Sequence, residues 1–286
     1  MNDFVVFILT NGRPNNVYTV KSLRKHGYTG RIVLVIDDED KTSEEYFERF
    51  EEVEVFSKKK IAKEFDEADN FEDRRAIVYA RNACFKIAEK LGVKYFMQMD
   101  DDYTQFEYRI YTNERQKPNY VYSLDSVFLA ILNFYKNSNF HTISIAQGGD
   151  FIGGKNNRMA KRPTLFRKCM NSFMCSIDRP FKFVGRINED VNTYVNKQSI
   201  GLLMGTVPFV SLKQKQTQSN KGGMTELYLD SGTYVKSFYS VIFSPSSVYI
   251  KPMGDKHLRL HHHVKWNNAV PKFIAEKHKK TAEQQP

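Results

Sequence analysis

Along the first hundred residues the apolar positions alternate between two patterns. Short solid blocks are followed by stretches where apolar residues recur every three or four positions. Phe4-Val-Val-Phe-Ile-Leu9 is a solid block of β-formers, ended by Asn11-Gly12-Arg13-Pro14. Val17, Val20 and Leu23 follow at helical spacing and stop near Gly27. Residues 31–36 form a second block ending on Asp37-Asp38, and residues 53–56 a third. From residue 71 to residue 91, Ile77, Ala80, Cys84, Ile87 and Leu91 keep to a helical period until Gly92, which predicts one long helix. Tyr95-Phe-Met-Gln-Met99 is the fourth block, and Asp100-Asp101-Asp102 follows it.

Strands separated by helical segments predict an α/β fold, with a mostly parallel central sheet and helices on both faces. In such sheets ligands bind beyond the carboxyl ends of the strands. Thr10-Asn11, Asp37-Asp38 and Asp100-Asp101-Asp102 are therefore expected to converge on one edge. After residue 103 the pattern is mixed. Residues 123–135 read as a helix, 141–146 as a strand, 147–154 as a glycine-rich loop, and Asn188 as the start of another helix. No repeat or low-complexity linker divides the chain. It reads as one domain over residues 1–278, with halves at 1–103 and 104–278, and a polar, disordered tail over 279–286.

Composition narrows the class. An apolar share of 41 % over 286 residues supports a packed core. The longest apolar runs fall far short of the roughly 18–20 residues of a membrane span, and the first residues do not resemble a secretory leader. Three cysteines, an odd number without zinc spacing, argue against a disulfide framework. The expectation is a soluble cytoplasmic protein with no membrane partner. The net charge of +10 is unevenly spread. Residues 39–73 are acid-rich. Residues 151–222 carry thirteen Lys and Arg against Asp178, Glu189 and Asp190, an excess of ten that equals that of the whole chain. Such an excess suits a polyanionic partner such as nucleic acid.

The acidic triplet carries the chemistry. Adjacent carboxylates at a strand end repel one another unless a cation or several donors neutralise them. Mn²⁺ and Mg²⁺ prefer oxygen ligands and are commonly shared with a diphosphate. Alternation along an extended chain lets Asp100 and Asp102 face one ligand while Asp101 points elsewhere or to a ribose. Asp37 and Asp38 are placed to accept hydrogen bonds from a nucleobase or ribose, or else to shape a turn. Arg74 and Arg81, seven apart on the expected long helix, share a face opposite its apolar stripe, and Arg81 is the one read as reaching a diphosphate or the acids. Glu189-Asp190 stands alone as an acid pair in a basic stretch, fit either for a general base or for a helix start. In His261-His262-His263, either His261 and His263 point together or His262 points inward alone, and one of them can complete a metal shell. Lys221-Gly222-Gly223-Met224-Thr225 is a candidate closing loop.

Taken together, these residues resemble glycosyltransferases of the GT-A fold, in the broad style of glycosyltransferase family 2. A narrower resemblance spans most of the chain. Gln147-Gly-Gly-Asp150, Arg186-Ile-Asn-Glu-Asp190, Gly222-Gly-Met-Thr225, Gly232-Thr-Tyr-Val-Lys-Ser237 and His263-Val-Lys-Trp-Asn-Asn-Ala-Val-Pro271 are similar to the TET-associated glycosyltransferases of bacteriophages. The resemblance implies a UDP-sugar donor bound by the N-terminal half. It also implies an acceptor in double- or single-stranded DNA carrying 5-hydroxymethylcytosine or another 5-hydroxymethylpyrimidine, bound by the basic half.

On that reading Asp102, Asp100 and a histidine (His261 or His263) hold Mn²⁺ or Mg²⁺. Thr10, Asn11, Arg13, Asp37 and Asp38 surround the nucleoside, with Arg81 towards the diphosphate. Asp100 or Asp101 positions the ribose or sugar. Glu189 or Asp190, with Asp190 preferred, deprotonates the acceptor hydroxyl, and the reaction inverts the anomer. Tyr103, Phe151 or Trp266 is available to stack on a flipped base. Competing readings are a GT-A enzyme acting on a glycan or small molecule, a nucleotidyltransferase, and a non-enzymatic DNA-binding module.

Overall fold

The computed structural model describes residues 3–68, 72–112, 115–151, 157, 162–215, 235–253, 259–279 and 281. Four strands match the four apolar blocks: β1 (Phe4–Leu9), β2 (Ile32–Asp37), β3 (Val53–Phe56) and β4 (Tyr95–Asp100). They are joined by helices α1 (Tyr18–Lys25), α2 (Ser43–Arg49), α3 (Lys58–Ala62) and α4 (Val78–Lys90). Beyond them come β5 (Tyr103–Thr112), β6 (Arg115–Tyr120), α5 (Leu124–Lys136), β7 (Phe140–Gln147), β8 (Phe173–Ser176), α6 (Glu189–Ser199) and β9 (Leu203–Gln214). Helix α7 (Val235–Phe243) and the antiparallel pair β10 (Val248–Met253) and β11 (Arg259–Val264) precede a short α8 (Trp266–Ala269).

Among the described residues the main sheet has nine strands in the order β3-β2-β1-β4-β8-β7-β9-β5-β6. Seven run in one direction, and only β8 and β5 are reversed. The solid apolar blocks follow from burial on both faces. Val5, Phe7 and Leu9 pack with α4 and α6, while Phe4, Val6 and Ile8 pack with α1 and α5. Register then sets the functional edge. Leu9 lies level with Val35 on one side and Asp100 on the other, and Asp37 lies level with Phe56. The polar residues after these positions emerge together, as the sequence predicts.

The long helix expected over 71–91 is shorter. Glu72 has a φ of 64°, and Asp73 Oδ1 accepts from the backbone N–H of Arg75 at 3.0 Å. A side chain that takes a nearby backbone donor competes with helical bonding, so the chain turns before α4 starts at Val78. Arg74 and Arg81 therefore do not share a helix. At the other end Gly92, with φ 65°, closes the helix as expected.

Tertiary pairing also spends much of the basic stretch. Lys182 reaches Glu64 at 2.8 Å, Arg186 reaches Asp73 at 3.2 Å, Lys213 reaches Glu107 at 2.6 Å, and Arg167 pairs with Asp150. Two of these partners belong to the acid-rich 39–73 segment. The glycine loop from Gly153, the Lys221–Thr225 loop and most of the tail lie outside the described residues.

Candidate active site

Helix α1 fixes the backbone of the acidic triplet. Thr19 Oγ1 donates to the carbonyl of Asp100 at 2.6 Å and accepts from the N–H of Tyr103 at 2.9 Å. The Thr19 N–H donates to the carbonyl of Asp101 at 3.1 Å. Asp101 turns into the protein, only 1 % exposed. Its Oδ2 accepts from Thr10 Oγ1 at 2.6 Å and from Arg13 Nε at 2.7 Å. Tyr46 completes this corner. Its hydroxyl lies 3.0 Å from Thr10 Oγ1 and accepts from the Arg13 N–H at 2.9 Å. Thr10, Arg13 and Asp101 therefore brace one another.

Asp100 faces the other way. Its Oδ1 accepts from Arg81 Nη2 at 2.9 Å, while Arg81 Nε donates to Glu189 Oε1 at 2.9 Å. Arg81 is 2 % exposed, and its guanidinium lies over the rings of Phe173 and Phe183, at 4.8 and 5.9 Å. It is thus a buried bridge between two carboxylates, not an exposed helix arginine, and the two acids raise its already high pKa. The signal for this was Gln98 on β4, too polar for a buried strand, whose Nε2 donates to the Arg81 carbonyl at 3.0 Å.

Three polar atoms here are buried without a partner among the described residues: Arg81 Nη1, Asp101 Oδ1 and Asp102 Oδ1. Unsatisfied buried groups are uncommon and ask for an explanation. Burial, reinforced by the charges of Asp100 and Asp101 against the opposing pull of Arg13, lifts the Asp102 carboxyl to about 7. Crowded, partly desolvated carboxylates with spare oxygens are what a hard divalent cation relieves. The residues present therefore fit Mn²⁺ or Mg²⁺. Among the described residues no group of three or more His, Cys, Asp or Glu is poised to hold a metal.

Glu189 and Asp190 open α6 beside this centre. Asn188 precedes them in the left-handed region, with φ 62° and ψ 37°. Its Nδ2 donates to Ser240 Oγ at 2.6 Å and lies 3.3 Å from His262 Nδ1. A strained non-glycine backbone held by specific partners is common at functional sites. Burial lifts Glu189 to about 7, partly countered by Arg81 and increased by Asp190 and Asp100. Glu189 is thereby spent on Arg81. Asp190 is half-buried, and among the described residues its Oδ1 accepts only the adjacent Val191 N–H at 2.8 Å. Lys168, which the sequence did not single out, feels the charges of Asp190, Asp150 and Glu189, and burial lowers its pKa.

The remaining candidates scatter. Asp37 is buried at 4 % exposure, and its oxygens accept from Asn11 Nδ2 at 2.7 Å, Lys58 Nζ at 3.0 Å and the Glu39 N–H at 3.1 Å. That carboxylate already serves three protein donors. Lys58 was hidden in a run of three lysines that reads as a solvated patch. Asp38 is exposed, with Oδ1 accepting from the Lys58 N–H at 3.0 Å. Of the two histidine orientations, the second is found. His262 is buried and points inward, whereas His263 is exposed beside Tyr249 and His261 is half-buried. Tyr103 is fully buried and cannot stack on a base. Phe151 sits under Arg109, and Trp266 packs edge-on to Tyr194.

Two cavities stand out among the described residues. One, of about 390 Å³, lies at the start of β7 around Lys136, His141 and His278, at the opposite sheet edge from the triplet. The other, of about 320 Å³, adjoins the triplet at Thr104, Gln147 and Gln214. No described helix is long and apolar enough to cross a membrane.

The carboxyl edge of this α/β sheet thus gathers crowded carboxylates beside a buried arginine, and Asp101 and Asp102 each keep a buried oxygen without a partner among the described residues. The sequence from residue 4 to residue 223 matches the family described as TET-Associated Glycosyltransferase. The chain belongs to that family and is a glycosyltransferase. No curated protein sequence matches it. Among solved structures it is similar to glucosyl-3-phosphoglycerate synthase from Mycobacterium tuberculosis in complex with Mn²⁺, uridine diphosphate and phosphoglyceric acid. There the identity is 9 %, the coverage is 92 % of this chain and 87 % of that one, and the TM-score is 0.45. It is also similar to S. aureus TarS 1-349, at 13 % identity, 73 % and 59 % coverage and a TM-score of 0.41.

Proposed function

We propose that this chain is a GT-A type enzyme that transfers a sugar from a UDP-sugar to the hydroxyl of 5-hydroxymethylcytosine, or another 5-hydroxymethylpyrimidine, in DNA. The observation that carries the donor half is the Asp100–Arg81–Glu189 bridge beside the unsatisfied Asp102. Asp102, with Asp100 in support, would hold Mn²⁺ or Mg²⁺. When bound, such an ion supplies charge neutralisation at the departing diphosphate. Arg81 holds Asp100 in place and keeps its Nη1 donor unspent. Arg13 and Thr10 fix Asp101, so the three acids cannot turn towards one another. Asp190 keeps one carboxylate oxygen without a partner among the described residues, which favours it over Glu189 as the base that takes the acceptor proton. Single displacement with inversion follows from one free base on the acceptor side.

The acceptor half has separate support. The family description names an association with TET. Among the described cations of residues 151–222, Arg162, Lys168, Arg179, Lys197 and Lys215 make no salt bridge with a described carboxylate, and Arg162 is exposed. Lys215 Nζ lies 3.5 Å from the centre of the Tyr18 ring, near the triplet. The test is the mass of hydroxymethylated DNA after incubation with a panel of nucleotide sugars and Mn²⁺ or Mg²⁺. A hexose-sized increase on hydroxymethylated DNA, absent on unmodified DNA and lost in Asp102→Asn, is expected. Transfer to a glycan or small molecule but to neither DNA would overturn the acceptor reading. Full activity in Asp102→Asn would overturn the donor site.

A further inference from the structure

The cavity beside the triplet is lined by Thr104, Gln147, Gly148, Gly149, Lys213 and Gln214, over the buried Leu212. Two of its side chains are amides, and a third amide stands behind them. Asn171 Nδ2 donates to Gln214 Oε1 at 2.6 Å, and Gln147 Nε2 donates to the same oxygen at 3.1 Å. One carbonyl oxygen therefore serves two donors, and no single amide of the trio can turn over alone without losing a bond. Two groups stay unspent among the described residues, the NH₂ of Gln214 and the carbonyl oxygen of Gln147. The anchor is tied to the catalytic edge. The carbonyl of Asn171 accepts from Tyr103 Oη at 2.6 Å. Gln214 lies level with Tyr103, and the Lys215 N–H donates to the carbonyl of Asp102 at 3.1 Å.

We infer that Gln147 and Gln214 read the hydrogen-bonding edge of the acceptor base, with Asn171 as the positioning residue that sets their polarity. This inference rests on the proposed hydroxymethylpyrimidine acceptor. A 4-amino pyrimidine presents a donor at position 4 and an acceptor at position 3, and a 4-oxo pyrimidine presents the reverse order. Directing the 5-hydroxymethyl group at the reaction centre fixes the ring, because position 4 adjoins position 5. A donor and acceptor of one polarity then satisfy one base and face the other with like groups. Discrimination of this kind needs no charged side chain. Lys213 at the rim is held by Glu107 at 2.6 Å.

The experiment measures binding by fluorescence anisotropy, using single-stranded oligonucleotides identical except for one 5-hydroxymethylcytosine or one 5-hydroxymethyluracil. The wild type is expected to separate the two Kd values by roughly tenfold or more, the size of a bidentate base contact. Asn171→Asp replaces the donor behind Gln214 with an acceptor, and aspartate tolerates the left-handed backbone at this position, φ 65°. It should turn the Gln214 amide over and reverse or erase the preference. Gln214→Glu removes the unspent donor and should erase it, so the inference stays testable if Asn171→Asp does not fold. Equal Kd values in the wild type, or an unchanged ratio in the variants that fold, overturn it. The two failures are distinguishable. If hydroxymethylated DNA gains no sugar in the mass measurement, the acceptor reading and this inference fall together. If it gains sugar while the Kd ratio is one, this inference alone falls.

Discussion

Asp102 has no partner for its buried oxygen among the described residues, and its charge is disfavoured by burial and by two neighbouring acids. A carboxyl raised to about 7 holds its proton in the folded state over a pH range where the unfolded chain has released it. The folded state then binds more protons, so the added stability is fully present below the ordinary carboxylate range and is lost as pH rises from there through about 7. Glu189 adds to the same trend. Without metal, thermal melts should show Tm falling between about pH 5 and pH 8. Asp102→Asn imitates the protonated form and should flatten part of that slope. At pH 8 its gain should be about 2 kcal/mol, after discounting for the partial exposure of the side chain. Added Mn²⁺ at neutral pH should raise the Tm of the wild type and leave that of Asp102→Asn unchanged. The same Tm shift in both would place the ion elsewhere.

Between elements, Arg81 is the cross-brace. One guanidinium ties α4 to β4 through Asp100 and to α6 through Glu189. Removing one member of a buried charge network leaves the others uncompensated, typically at about 3–5 kcal/mol. Urea unfolding of Arg81→Leu should show a loss of that order. Arg81→Lys should rescue little, because a single ammonium cannot reproduce two bonds from one planar fork. The start of α6 is a second joint. Asn188→Ala keeps the left-handed backbone but removes the Ser240 bond, and should cost about 1–3 kcal/mol in the same measurement. Asn188→Gly relieves the backbone, so its cost should be smaller. If the two variants are equal, backbone strain contributes nothing there.

Across the whole molecule, charge neutralises itself. Lys182 and Arg186 are held by Glu64 and Asp73, so cations far along the chain answer acids near its start. A sequence excess of ten in residues 151–222 thus overstates the surface available to a polyanion. Binding to hydroxymethylated single strands should weaken with salt, but gently. A log–log slope of about −2 to −4 corresponds to a few phosphates at about −0.7 each. Anisotropy at several salt concentrations measures it. A slope near zero would remove the basic surface from the acceptor argument, and one steeper than about −7 would contradict the internal pairing.

The solid apolar blocks determined the first four strands and their α/β setting, because a strand buried on both faces has no polar alternation to mislead. Those strand ends also determined that Thr10, Asp37 and Asp100 would meet at one edge, since parallel strands carry their carboxyl ends to the same side. The start of α4 was not legible, because helical periodicity continues through Ile77 while Asp73 redirects the backbone. Nor could spacing reveal that Arg81 would be buried between Asp100 and Glu189, for those partners lie 19 and 108 residues away. Only the tertiary structure decided which acids are spent and which are free. Asp37 is occupied by Asn11 and Lys58 and Glu189 by Arg81, Asp101 is held through one oxygen by Thr10 and Arg13, and Asp102 and Asp190 keep oxygens without a partner among the described residues. A local pattern fixes which way a side chain leaves its strand or helix, but its free energy in the site depends on partners that the fold brings from elsewhere.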